Sequence, residues 1–552
     1  MRRSFPLALA ATLVLAACAD RVPTDPSGGA PSLRADASDP TPATLTLEKI
    51  GGFAGGGAGS AEITAFDPVS KRLFVVNGAQ GTVDVLDLRN PASPRKIATL
   101  AVAGGGANSV AADNGVVAVA VEGSPKTTPG TVAFYRATTL QPISSVTVGS
   151  LPDMVTFSPD GRYVLVANEG EPNELYTTDP EGSISIIDVT NINRPTVRTA
   201  GFTQFNGQAD QLRAAGVRLF GYNSPSVAQD LEPEYVAVSE DSRTAWVTLQ
   251  ENNALAVVDI EAGVVTDIKP LGFKDHSLAA NKLDASDRDD PDGTGPLTNS
   301  VNIRNWPVLG MYQPDAIAAY TAGGQTYLVT ANEGDARVYP PADIPGGPDE
   351  GDIFNEEARV GSLSLNTGIF SSAVCGGTCT GNARLGRLNV TRTLGLNPVT
   401  GLYDALYPFG ARSFSIWTAN GQLVWDSGDQ LEQLTAALPM VKFNASHSNN
   451  NQDDRSDNKG PEPEGVALGR LGTKTFAFIG LERVGGVVVF DVTNPSSPSY
   501  VTYVNTRSGT AGDLGPEGVA FVPAVQSPNK RPLVIVGNEV SGTTAIFQVN
   551  LH

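Results

Sequence analysis

Pro463-Glu464-Gly465-Val466-Ala467-Leu468 is followed by Thr475-Phe476-Ala477-Phe478-Ile479-Gly480-Leu481-Glu482, Gly486-Val487-Val488-Val489-Phe490-Asp491-Val492 and Tyr500-Val501-Thr502-Tyr503-Val504. These are four short runs of β-branched, aromatic and aliphatic residues separated by Gly, Asn and Pro, the pattern of an antiparallel four-stranded meander. The unit recurs. Leu151-Pro152-Asp153-Met154-Val155 leads into Tyr163–Glu169, Glu232-Pro233-Glu234-Tyr235-Val236 into Ala245–Glu251, Pro314-Asp315-Ala316-Ile317 into Thr326–Glu333, and Pro516-Glu517-Gly518-Val519 into Leu533–Glu539. Weaker copies begin at Ala61-Glu62-Ile63 and at Asn108-Ser109-Val110.

Seven copies predict an all-β fold, a seven-bladed β-propeller, because radial stacking leaves only short protected sheet edges. The last copy reaches residue 552 after three strands, and Thr44-Leu45-Thr46-Leu47-Glu48-Lys49-Ile50 is a lone alternating strand before the first copy. It is expected to supply the missing fourth strand and close the ring, removing two open edges. The glycine run 51–59 is expected to link this strand to the first blade. The propeller domain is thus 44–552, with loop insertions at about 203–230, 275–312 and 338–411. The first carries Ala209–Ala215, a short helix ended by Gly216, and the third a small helix-and-hairpin unit.

Composition agrees: 59 Gly and 39 Pro suit a chain of many strands and turns, and 41% hydrophobic with 17% charged residues is too apolar for wholesale disorder. Acids outnumber bases 58 to 38, for a net charge of −20. Such a surface is a poor partner for nucleic acid, whose binding comes mainly from neutralising phosphates, and it attracts cations.

Residues 1–17 have a basic start at Arg2-Arg3 and an apolar core, then Leu15-Ala16-Ala17 before Cys18, the pattern of a secretory signal ending in a lipobox. Cys18 is then the lipidated first residue of the mature chain, 18–43 a Pro-, Ser- and Asp-rich tether, and the membrane a partner through that lipid. The localisation expected is the envelope of a bacterium, on the periplasmic face or the cell surface, with an unidentified envelope or extracellular ligand. In an oxidising compartment, Cys375 and Cys379 in Cys-Gly-Gly-Thr-Cys are expected to pair as a small-loop disulfide.

Val166-Ala167-Asn168-Glu169-Gly170-Glu171-Pro172, Thr330-Ala331-Asn332-Glu333-Gly334-Asp335-Ala336-Arg337, the stretch from Asp454 to Gly465 and Gly515-Pro516-Glu517-Gly518-Val519 resemble the YVTN-type propellers, and more narrowly the choice-of-anchor I proteins. That resemblance implies an exported propeller held by one of several kinds of anchor. Related sequences carry an alkaline phosphatase label, but no phosphatase motif stands here to receive it.

The repeat itself carries the chemical signal. In a meander, the start of strand one and the end of strand two share one edge. The first position holds Glu62, Asn108, Asp153, Glu234, Asp315, Glu464 and Glu517; the second holds Gly78, Glu122, Glu169, Glu251, Glu333, Glu482 and Glu539. These acids are expected to face one mouth of the central channel. At separations of about 5–8 Å and an effective dielectric near 20, like charges repel by about 2–3 kcal/mol per pair. Protonation, interleaved Arg or Lys side chains, or hard cations such as Ca²⁺ or Mg²⁺ can offset this. The same acids could instead pin neighbouring blades through backbone N–H groups, and a catalytic role for some stays open.

Arg337, Arg455 and Lys459 are candidate ligand-binding cations near the mouth. With metal bound they would serve the alternative function, a metal-dependent phosphoesterase. The stretch Asp287–Gly293 lacks EF-hand spacing and is expected to be a solvated acidic loop, whereas Asn449–Asn458 is expected to overhang the acidic mouth. His447 is expected at the surface. Neither Gly-x-Ser-x-Gly nor a phosphate-binding Gly-x-x-x-x-Gly-Lys-Ser/Thr occurs.

Overall fold

The computed structural model describes residues 41–290, 297–339, 353–439 and 441–552; the segment expected to be a signal, Cys18 and the expected tether up to residue 40 lie outside them. Seven four-stranded antiparallel sheets follow one another along the chain. Blade one spans Thr64–Ala101, blade two Ala107–Ser150, blade three Pro152–Gly201, blade four Val236–Pro270, blade five Ile317–Asp426 and blade six Pro463–Val504. Blade seven takes Pro516–Val522, Leu533–Asn538 and Thr543–Leu551 from the C-terminus and Leu45–Ala54 from the N-terminus.

Burial explains the sequence pattern strand by strand. Second strands such as Tyr163–Asn168 and Leu533–Asn538 are buried throughout, so they read as continuous apolar runs. Fourth strands such as Arg95–Ala101 lie at the rim of the disc and are mostly exposed. The core is divided among the junctions between blades. Phe74, Val85 and Val119 join blades one and two, and Leu73, Ile535 and Ile546 join blade seven back to blade one. The ring is therefore closed by packing as well as by strand pairing.

The closing strand runs further than the sequence pattern shows. Leu45 pairs with Leu551, and the ladder continues beyond a bulge at Lys49/Gly51 to Ala54 opposite Thr543. The first glycines of the run are thus part of the strand. A side chain at Gly51 would meet the carbonyl of Pro91 at 2.1 Å, so glycine lets this strand lie against the outer turn of blade one. Leu45, 1% exposed, is packed with Phe476, Phe521 and Val549 in the core between blades six and seven.

The first insertion forms the helix Ala209–Ala215, ended by Gly216 in the left-handed region, and lays Phe205, Leu212 and Val227 on the junction of blades three and four. The other two insertions are not separate units. Leu283, Ala285, Trp306 and Val308 from the second share one core with Val360, Phe370, Leu385, Val390 and Leu406 from the third. Four apolar residues cannot bury themselves, so the second insertion borrows the core of the third. Together they form one packed unit, and the ladder Phe273–Asp275 with Leu309–Met311 closes the base of the second insertion. The Cys375–Cys379 disulfide, with Cα atoms 5.3 Å apart, lies in this core.

Truncating Leu45 to Ala is expected to lower stability by about 2–5 kcal/mol, the cost of a cavity at a fully buried site. The check is a fall in the urea midpoint. Deleting 44–54 should expose the edge of Thr543–Leu551 and produce oligomers in size-exclusion chromatography with light scattering.

Candidate acidic channel mouth

A backbone device repeated around the ring aims the acids. In blade three Pro152 pairs with Asn168 and then Val155 with Val166, which leaves one extra residue in strand one at Asp153-Met154. Blades six and seven do the same at Glu464-Gly465 and Glu517-Gly518. Such a bulge re-aims the side chain it carries. The glycine after the acid has its own cause: a Cβ at Gly465 would sit 1.9 Å from the carbonyl oxygen of Glu517 in the next blade. Pro-Glu-Gly therefore combines a strand start, an inward acid and close blade-to-blade contact.

The carboxylates converge. Glu517 is repelled by Glu62, Glu539, Asp315 and Asp153, and Glu234 by Glu251, Asp315, Glu169 and Asp153, so charges from well-separated blades face one another. Glu464 is repelled by Glu482 and Glu333. Ten acids singled out from the repeat (Asp153, Glu169, Glu234, Glu251, Asp315, Glu333, Glu464, Glu482, Glu517 and Glu539), together with Glu62, thus belong to one electrostatic cluster. The remaining acid, Glu122, has Lys126 as its charged neighbour. Beyond the acids the channel continues as a cavity of about 270 Å³ lined by innermost strands of all seven blades, including Ala65, Val110, Val155, Ala237, Ala318 and Leu468.

The cluster is unevenly neutralised. At the junction of blades five and six, Lys459 Nζ lies 2.5 Å from Glu333 Oε1 and 3.3 Å from Glu462 Oε2, and Arg483 Nε lies 3.0 Å from Glu482. Glu333, Glu462 and Glu482 are close enough to share a metal ion, but Lys459 and Arg483 already supply positive charge there. By contrast Glu234, Glu251, Glu464 and Glu517 each keep one buried carboxylate oxygen, Oε2, without a hydrogen-bond partner. Burial, reinforced by neighbouring acids, raises Glu62 to about 8 and Asp153 to about 7, and pushes Glu169, Glu234, Asp315, Glu464 and Glu517 well above the carboxylate range.

The three candidate ligand-binding cations are all engaged. Arg337 is 3% exposed, paired to Asp230 at 2.5 Å and to Glu232 at 2.7 Å, and also donates to the main-chain carbonyl of Asp230. It clasps the third insertion to the first and has no free face for an anion. Arg455 donates to Glu462 at 2.7 Å, and Lys459 is held as described. Sequence reasoning missed the partners Glu232 and Glu462. Both open a Glu-Pro-Glu triplet (232–234 and 462–464), and that repetition was the available signal. The first Glu braces cations and the second belongs to the acidic cluster. Burial alone would raise Glu462, but Lys459, Arg455 and Arg483 hold it at about 2.

The loops also differ from expectation. Asp289 is 1% exposed and Asp284 0%, so the segment beginning at Asp287 is not simply a solvated acidic loop; residues 291–296 lie outside the described set. The stretch 449–458, expected to overhang the mouth, reaches the charges beside it through Arg455, paired to Glu462, and has Asp453 and Ser456 fully buried. Asp284, Asp289 and Asp453 form a second acid group. Burial raises Asp289 to about 6, and burial with repulsion from Asp284 and Asp289 raises Asp453 to about 10. His447 is half-buried, with Nδ1 2.9 Å from Arg483 Nη1, and burial beside that guanidinium lowers it to about 4.

A carboxylate with a raised folded-state pKa binds more protons folded than unfolded, so it lowers stability as pH rises from its unfolded value through its folded one. In chelator and low salt, the melting temperature is expected to be highest near about pH 5 and to fall by about pH 8, through the range set by Glu62, Asp153 and Glu482, the last also raised to about 8. Glu462 acts oppositely, losing its contribution only below about pH 4. Glu462→Gln, which strips three cations of a buried partner, is expected to cost about 3–5 kcal/mol in urea unfolding at neutral pH.

The sequence matches the choice-of-anchor I domain over residues 62–495. It is 28% identical over 397 residues to the "Mesenchyme-specific cell surface glycoprotein" of Strongylocentrotus purpuratus, covering 63% of this chain and 48% of that one. It is 32% identical over 187 residues to "Gigasin-3a" of Magallana gigas, covering 30% of this chain and 66% of that one. The chain thus spans about half the length of the first relative and about two thirds of the second. Among solved structures, a chain of Kuenenia stuttgartiensis hydrazine synthase superposes with a TM-score of 0.46 at 14% identity, over 90% of this chain and 97% of that one. With the domain match spanning most of the propeller, the chain belongs to the choice-of-anchor I family.

Proposed function

We propose that this propeller is an exported, lipid-anchored envelope module whose acidic channel mouth binds a hard divalent cation, Ca²⁺ or Mg²⁺, and through it a ligand or partner. The observation that carries this reading is the set of four unpartnered, buried carboxylate oxygens on Glu234, Glu251, Glu464 and Glu517 within one cluster of acids. Buried carboxylates without partners are costly, and a cation that accepts several oxygen ligands relieves both the missing contacts and the repulsion. Choice-of-anchor domains are typical of exported and cell-surface proteins, and the cell-surface name of the sea urchin relative supports the same address. The lipid would be carried by Cys18, at the end of the signal pattern.

The phosphoesterase alternative finds less support. Arg337, Arg455 and Lys459, the cations it would need for gripping phosphate, are each spent on a carboxylate.

Calorimetric titration of chelator-treated protein with Ca²⁺ and with Mg²⁺ tests the proposal. Wild type should release or absorb heat on binding, and Glu234→Gln/Glu464→Gln/Glu517→Gln should lose the component assigned to the mouth. An isotherm unchanged in the triple variant, shown folded by circular dichroism, would reject these acids as ligands.

A further inference from the structure

We propose that Asp284, Asp289 and Asp453 form a second, separate calcium site that ties the second insertion to the 441–462 loop. One carboxylate oxygen from each of the three residues lies within 4.8 Å of the others, the greatest spread possible for oxygens around one ion with bonds of about 2.4 Å. All three side chains are at most 1% exposed. No ion pair joins them to a cation among the described residues: Arg412 reaches the main-chain carbonyl of Asp284 and the carboxylate of Glu432, Arg387 is taken by Asp287 and Asp457, and Arg384, whose charge is felt at Asp289, donates to the carbonyls of Asp290 and Gly376. This is the opposite of Glu333, Glu462 and Glu482, where lysine and arginine fill the charge deficit.

A further observation points to a ligand. Asp289 Oδ2 and Asp453 Oδ2 are buried and receive no hydrogen bond from an amide, hydroxyl or cationic donor among the described residues; the two carboxyl groups lie within hydrogen-bonding reach of one another, so either a shared proton or a cation must stand between them. The other oxygen of each is accounted for: Asn302 Nδ2 donates to Asp289 Oδ1 at 2.8 Å, and Ser456 Oγ donates to Asp453 Oδ1 at 2.5 Å. Asp284 is oriented by the amides of Asn302 at 2.5 Å and Ser286 at 3.4 Å. The carboxylates are therefore held in place by donors, while one oxygen of Asp289 and one of Asp453 are left over. A third buried oxygen without a donor, Asn444 Oδ1, is nearby, since its amide nitrogen donates to Ser456 Oγ at 2.8 Å.

The donor set favours calcium. Oxygen-only ligands without His or Cys are a poor match for zinc. A buried, irregular set built from two loops suits the flexible coordination of Ca²⁺ better than Mg²⁺, which keeps a strict octahedron and several waters. Asp284 and Asp289 come from the second insertion and Asp453 from a segment more than 150 residues away, so an ion here would fasten two excursions of the chain. The alternative occupant is a proton shared between carboxyl groups, and the two differ in what an Asp→Asn change does.

The test uses the full chain in the triple mouth variant Glu234→Gln/Glu464→Gln/Glu517→Gln, so that three of the four unpartnered carboxylates of the mouth are already removed. With Ca²⁺ as the probe, calorimetry should still show one binding event per chain, and Asp453→Asn or Asp289→Asn added to this background should abolish it. In EGTA the Asp→Asn variants should melt at or above their parent, since a repelling charge is gone; in Ca²⁺ they should melt below it. Should either variant fold poorly, the parent alone decides: Ca²⁺ must raise its melting temperature and slow proteolysis of the 441–462 loop, relative to EGTA. Absence of both effects, or an isotherm unaffected by either substitution, overturns the site and leaves the shared proton. Calcium bound by acids remaining at the mouth would survive Asp453→Asn and Asp289→Asn, so loss of binding on these changes is specific to this site.

Discussion

Electrostatic repulsion among inward-facing carboxylates is the constraint around which this propeller is organised. The strand-one bulge and the end of strand two put acids from successive blades into a single cluster. A closed ring cannot relax that crowding by splaying its blades, because each junction has its own apolar core and the N-terminal strand locks the last blade. The charge must be met chemically, by protons, by side-chain cations or by bound ions.

The molecule uses different answers in different sectors. Between blades five and six, Lys459, Arg455 and Arg483 surround Glu462 and reach out to Glu333 and Glu482. Near blade four, Arg337 meets Asp230 and Glu232. Both clusters are assembled from insertions and long loops, so the excursions from the ring do more than decorate it: they bring counter-charges to acids that the repeat alone would leave unpaired. Where no loop among the described residues brings a cation, as at Glu234, Glu464 and Glu517, carboxylate oxygens remain without partners.

Much of this was readable before the structure. Seven meanders, the closing strand near Leu45 and the acids of the mouth follow from local patterns, since a strand pair is fixed by period and turn chemistry. What was not readable depends on contacts distant in sequence. Val308 shares a core with Val390, Arg337 finds Asp230, and Asp289 lies beside Asp453. A run such as Asp287–Gly293 looks solvated when judged by charge, because nothing local shows that Asn302 and Ser456 will bury and orient its neighbours. The cations at the mouth were identified as side chains near the acids, but whether they were free to take a ligand depended on Glu232 and Glu462, whose role appears only in three dimensions.

The most direct measurement is a high-resolution crystal structure of the protein grown with calcium, with anomalous scattering collected to locate the ions. A peak is expected at the channel mouth within bonding distance of carboxylates from at least two blades, among them Glu234, Glu464 or Glu517. A mouth with ordered carboxylates but only water between them, at a calcium concentration in the millimolar range or above, would contradict it.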